Sequence, residues 1–122
     1  MCLGNPDSKP TRKWGVGYKV VRKSPERRYH PQFFQRRCGH FPLYEWLTDP
    51  NDKLVSTKHD AYRTGFHIML DRTRAERLAE DGLKLIKVRF RKVVATQTAT
   101  LDSLWGPQVV AKEIMNLGEV KQ

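Results

Sequence analysis

Leu85-Ile86-Lys87-Val88-Arg89-Phe90-Arg91-Lys92-Val93-Val94-Ala95 is the most regular stretch of the chain. Ile86, Val88 and Phe90 alternate with Lys87, Arg89 and Arg91, the period of two that a pleated strand imposes when one face is buried and the other meets water. The alternation fails after Lys92, where Val93 and Val94 are adjacent, so a bulge or a change of partner is expected there. Weaker alternations surround this strand. Val16 to Val21 reads as an opening strand and Tyr44 to Leu47 as a short one. Gly65 to Leu70 sets Phe66, Ile68 and Leu70 against His67 and Met69, and Val109 to Met115 is a last strand.

Between the third and fourth of these five strands, Thr73-Arg74-Ala75-Glu76 has the form of a capping box, in which a hydroxyl and a carboxylate satisfy each other's backbone N–H. Ala75, Leu78 and Ala79 share an inner face at helical spacing, and Gly82 is placed to close the helix. Strands outnumber helices. The expected class is α+β, an antiparallel sheet of about four to five strands with one short helix packed on it. Ser24 to Cys38, interrupted by Pro25 and Pro31, reads as an irregular exposed excursion. Thr48 to Asp52 reads as a turn and Thr96 to Gln108 as a long loop.

A chain of 122 residues fits one domain, residues 1–122, and buries roughly two-thirds of its unfolded surface without help from metals or disulfides. Residues 1–13 read as a flexible N-terminal tail. The N-terminus has no apolar core of a signal peptide, and no apolar run approaches the length of a membrane span. The expectation is a soluble protein in which Cys2 and Cys38 are free thiols of a reducing cytosol.

Twenty-three Lys and Arg face thirteen Asp and Glu, a net charge of +10 that favours phosphate-rich or acidic partners. Lys87, Arg89 and Arg91 lie on one strand face at roughly 6.7 Å intervals, suited to the phosphates of a nucleic-acid strand. The alternative is a solvated outer face that discourages unwanted strand pairing. Three like charges in a row repel unless neighbouring acids or an external anion compensate them. A second cluster, Arg12, Lys13, Lys19, Arg22, Lys23, Arg27, Arg28, Arg36 and Arg37, is interleaved with Trp14, Tyr29, Phe33 and Phe34 and opposed only by Glu26. Guanidinium groups grip phosphate and exposed rings stack on unpaired bases. Rings packed into the core, or an acidic protein surface as partner, fit the same residues.

The pattern Gly17-Tyr18-Lys19-Val20-Val21, Gly65-Phe66-His67 followed by an alanine-containing helix, Val88 through Val94-Ala95, and Val110-Ala111-Lys112-Glu113 resembles a group of small phage-encoded proteins. That resemblance covers residues 15–118 in pattern. It implies a phage or prophage origin, the bacterial cytoplasm, and a role in modifying host processes, and it carries over no catalytic residues.

His30, Cys38 and His40, with Cys2 or His59, match no zinc spacing, so no metal and no cofactor are expected. Glu113, among apolar neighbours, and His67, in a core strand, are acid–base candidates that could line a small pocket with Tyr62 and Arg63, but no phosphate-cradling glycine loop accompanies them. The expected function is a non-enzymatic accessory protein that binds RNA or single-stranded DNA. The binding residues would be Arg22, Lys23, Arg27, Arg28, Tyr29, Phe33, Arg36, Arg37, Lys87, Arg89 and Arg91. The alternatives are an anti-defence inhibitor docking on an acidic host protein and a small nucleotide-handling enzyme.

Overall fold

A computed structural model describes residues 3, 6–25, 29–31, 40–50, 54–56, 61–79, 83–98 and 106–120. Among them the elements run β1 (Trp14–Lys23), β2 (Tyr29–Pro31), β3 (Trp46–Thr48), β4 (Leu54–Ser56), β5 (Ala61–Arg63), β6 (Phe66–Met69), α1 (Arg72–Leu78), β7 (Lys84–Gln97) and β8 (Gln108–Glu119). The class is α+β, one short helix on an antiparallel sheet. Six strands join that sheet, while β4 and β5 pair only with each other.

The long strands β7 and β8 pair from Ile86↔Glu119 to Gln97↔Gln108, and β1 occupies the other edge of β7. The start of β8 pairs with β6, and β6 meets β1 at Tyr18↔Met69. These four pairings close a circuit β1-β7-β8-β6. β3 continues the edge of β8 beyond β6, and β2 continues the edge of β1 beyond Tyr18. Closure needs a glycine. A Cβ on Gly17 would collide with the Ile68 side chain and lie 2.8 Å from the Met69 carbonyl oxygen, so only a residue without one lets β6 cross β1 this closely.

The alternation read along β7 holds in three dimensions. Ile86, Val88 and Phe90 are buried with Phe66, Ile68, Val109, Ala111, Ile114, Val21 and Phe41, and the Phe41 and Phe66 rings meet edge to face. The expected break in phase is also present. Lys92 has a left-handed backbone (φ 57°), and the β7–β8 register shifts between Val93 and Ala95. On the opposite side of β1, Ala75 and Ala79 of α1 cover Val20, Met69 and Leu85.

Two local details differ from expectation, the helix cap and a strand within the stretch read as irregular. The helix is capped by Asp71, whose carboxylate accepts from the Arg74 N–H at 3.2 Å, so Thr73 lies inside the first turn. Glu76 accordingly pairs with Arg72 at 2.7 Å instead of reaching back to Thr73. Gly82 lies outside the described residues, and the last helical hydrogen bonds end on Ala79. Within the stretch read as irregular, Tyr29–Pro31 forms a strand against Val21–Lys23. Proline is tolerated on a strand that pairs on one side, since it has no N–H to donate.

Within residues 1–13, read as a flexible tail, the described Leu3, Asp7 and Thr11 make contacts with the folded body. Leu3 is buried with Ala95 and Val110. The Asp7 N–H donates to the Thr96 carbonyl at 2.8 Å, and its carboxylate accepts from the Thr96 hydroxyl at 2.6 Å and the Thr98 hydroxyl at 3.0 Å. Leu3→Ala is therefore expected to lower unfolding free energy by about 2–4 kcal/mol, the usual range for a truncated buried leucine. Urea denaturation measures it, and an unchanged midpoint would show that this segment does not stabilise the fold. No described helix is long and apolar enough to cross a membrane.

Candidate functional site

The outer face of β7 continues onto its neighbours. In register, Trp14 of β1, Arg91 of β7, Glu113 of β8 and Thr48 of β3 form one row, and Val16, Arg89, Met115 and Trp46 form the next. Tyr18 stands opposite Lys87 in a third row. Cross-strand partners point to the same side of a sheet, so these side chains share a face. Helix α1 packs on the face where Val20 meets Leu85, with Tyr18 at the margin of that contact, and among the described residues Trp14 and Val16 stand clear of it. Trp14 is 74% exposed and Val16 42% exposed. An indole that could have been buried stands in water instead.

Among the described residues of these rows, Glu113 is the one carboxylate. Glu113 accepts from the Thr48 hydroxyl at 2.7 Å, from Arg91 Nε at 2.5 Å and from Lys92 Nζ at 3.3 Å. The Thr48 hydrogen bond and then the Arg91 hydrogen bond stabilise the ionised form and hold its pKa down to about 2, against burial that opposes them. Of the sequence alternatives for Glu113, the geometry matches the one that turns it toward Lys or Arg. Arg91 also lies over the Trp46 ring, its Cζ 3.8 Å from the centroid. Lys87 and Arg89 are exposed, and among the described residues neither has an ion-pair partner. The compensation demanded by three like charges thus reaches only Arg91.

A depressed carboxylate pKa stabilises the fold fully above the unfolded-state value of 4.5, and the contribution disappears as pH falls through about 2. Glu113→Gln is therefore expected to be less stable than the native chain at pH 7, the gap shrinking as pH falls from about 4.5 towards about 2. Denaturant melts across that range measure it, and a pH-independent gap would contradict the assignment.

Two described members of the N-terminal cluster, Lys19 and Lys23, are engaged away from this face. Lys19 turns inward, donating to the His67 carbonyl at 2.7 Å with its ammonium 5.7 Å from the Phe41 ring centroid. Lys23 pairs with Glu119 at 3.2 Å and lies 5.5 Å from the centroid of the half-buried Tyr29 ring. Arg22 is exposed on the same side of β1 as Trp14, but beyond the helix-covered Val20. Arg27, Arg28, Phe33, Arg36 and Arg37 lie outside the described residues. What unites the site is the Lys87-Arg89-Arg91 row with Trp14, Trp46 and Thr48. Trp14 carried a readable signal, since Trp14, Val16, Tyr18 and Val20 alternate without interruption. Trp46 carried none, because its place depends on the register of a three-residue strand.

The acid–base candidates do not converge. His67 pairs with Val110, three residues along β8 from Glu113, and an odd separation along a strand directs side chains to opposite faces. Burial, followed by the nearby Lys19 charge, lowers the His67 pKa from 6.5 to about 3 and keeps it neutral. The unfolded chain then binds a proton that the folded one refuses, so stability should decline as pH drops from 6.5 towards 3. His67→Asn should flatten that decline in urea melts between about pH 6.5 and 4.5, whereas an equally steep decline would contradict burial of a neutral imidazole. The side chains of Tyr62 and His30, with Cys2, Cys38 and His59, lie outside the described residues. Among the described residues no group of three or more His, Cys, Asp or Glu could hold a metal ion.

No family model matches this chain, and neither does any curated protein or solved structure. The functional reading therefore stands on the sheet face and its chemistry.

Proposed function

We propose that this protein binds nucleic acid, either RNA or single-stranded DNA, through the open face of β1, β7, β8 and β3, as a non-enzymatic accessory protein of the phage-encoded kind its sequence resembles. One observation carries the reading: Lys87 and Arg89 stand exposed without ion-pair partners among the described residues, on the same face as a Trp14 that is 74% exposed. Uncompensated cations side by side repel one another, and phosphates relieve that repulsion while releasing the counterions condensed on the strand. An exposed indole beside them offers a stacking surface that every base can use.

A mobility-shift series with a labelled single-stranded oligonucleotide tests this. Affinity is expected in the micromolar range or tighter at low salt, and log K should fall by about 0.7 per phosphate neutralised for each tenfold rise in salt. No binding at about 50 mM salt would end the proposal. A complex recovered from cells that keeps its partner protein after nuclease treatment would favour the acidic protein partner instead.

A further inference from the structure

Arg91 differs from its companions on β7. It gives Nε to Glu113 at 2.5 Å and sets Cζ over the Trp46 ring, 3.8 Å from its centroid, well within the range of a cation–π contact. Glu113, with only 8% of its side chain exposed, is fixed in turn by the Thr48 hydroxyl. A charge already compensated in this way attracts a phosphate weakly. The second face of the guanidinium is another matter, because 45% of the Arg91 side chain remains exposed. Across β7, Trp14 has no ring or cation partner among the described residues.

Resting on the reading of this face as a nucleic-acid surface, we infer that Trp14 and the Arg91–Trp46 stack are two base-stacking platforms of one site, and that the ligand is an unpaired strand held by its bases as well as its phosphates. Trp14 and Trp46 belong to strands three intervals apart, about 14 Å at the usual strand spacing. The Arg91 side chain spans part of that gap, carrying its guanidinium over β8 to the β3 side. Bases stack at the two ends, Arg89 neutralises a phosphate passing over β7 between them, and Lys87 takes one alongside. A duplex does not fit, because its base faces are already stacked on one another and only its edges are offered. Stacking discriminates little among bases, so the site takes unpaired strands of varied sequence. Glu113 and Thr48 act as positioning residues that hold the guanidinium over the indole.

The test compares three labelled probes of equal length with the full chain by fluorescence anisotropy: a deoxythymidine oligomer, an abasic oligomer with the same phosphates, and a duplex. The thymidine strand is expected to bind about 10-fold or more tightly than the abasic one, the value of at least one lost stack, and to quench tryptophan emission that the abasic strand leaves unchanged. The duplex is expected to bind no better than the abasic strand. Arg91→Lys keeps the charge and removes the planar group; it should weaken thymidine binding about 5–10-fold, a larger loss than on the abasic strand, so that the preference for thymidine over abasic narrows. Equal affinity for thymidine and abasic strands, equal affinity for duplex, or an Arg91→Lys variant matching the native chain on both single strands would overturn the two-platform site while leaving phosphate binding intact. Failure of every probe to bind would overturn the underlying reading too. Circular dichroism checks that Arg91→Lys folds, and the abasic comparison needs no variant.

Discussion

Exchanging both Lys87 and Arg89 for Ser lowers affinity for a single-stranded oligonucleotide by about 30-fold at low salt, as expected for two solvent-screened phosphate contacts of about 1 kcal/mol each. The slope of log K against log salt becomes shallower by about 1.4, two phosphates at roughly 0.7 apiece. Neither side chain is buried or ion-paired among the described residues, and the positions alternate with the buried Ile86, Val88 and Phe90, so the fold is expected to persist. Removing two like charges from one face relieves repulsion. Mobility shifts across a salt series, with a thermal melt alongside, measure both quantities. Unchanged affinity and slope would remove the row from the binding surface, while a large drop in melting temperature would show that the residues stabilise the sheet.

The largest effect on stability is expected on the reverse side of the same strand. Phe90 is fully buried between β1 and β8, opposite Gly15 and Ile114. A Cβ on Gly15 would stand 3.0 Å from the Phe90 Cζ, so the glycine makes room for the ring and the ring fills the space the glycine leaves. Phe90→Ala removes that filling from the centre of the closed circuit, where backbone pairing on both sides restrains collapse into the void. A loss of about 3–5 kcal/mol is expected. For a domain of this size that is a large part of a typical total stability of roughly 5–15 kcal/mol. Urea denaturation should show a lower midpoint with an unchanged slope. A cost below about 1 kcal/mol would mean that the ring is not enclosed as described.

What the sequence displayed and what it concealed follow from the range of the interactions involved. The β7 alternation, its break at Lys92 and the inward set of Ile86, Val88 and Phe90 were legible because period and phase are local. The strand positions around Val16–Val21, Phe66–Met69 and Val109–Met115 were legible for the same reason, although the strands extend further, since paired backbone recruits polar end residues such as Gln97 and Gln108. That Asp71 caps the helix in place of Thr73 was not legible, because either side chain can accept from an N–H three residues on. The closed circuit was hidden entirely. It depends on a single bridge, Tyr18↔Met69, permitted by the absence of a Cβ at Gly17.

The candidate site divides in the same way. Lys87, Arg89 and Arg91 were readable as a row. Their unequal condition was not: Glu113 compensates Arg91 through a register of β8 against β7, and Trp46 lies beneath it through a three-residue pairing of β3 with β8. Counting charges along the N-terminal segment gave weight to Lys19 and Lys23, but strand alternation turns one inward to the His67 carbonyl, and β8 supplies Glu119 to the other. Linear charge density reports a potential partner class without reporting which face meets it.

Backbone amide chemical shifts, followed by heteronuclear NMR while an unlabelled thymidine oligomer is titrated into the full chain, test the central claim most directly. The largest perturbations are expected at Trp14–Tyr18, Lys87–Arg91, Glu113–Met115 and Trp46–Thr48, with the Trp14 and Trp46 indole N–H signals moving and the signals of Leu3, Asp7 and Ala75 staying in place. Perturbations confined to other surfaces, or none at saturating oligomer, would contradict it.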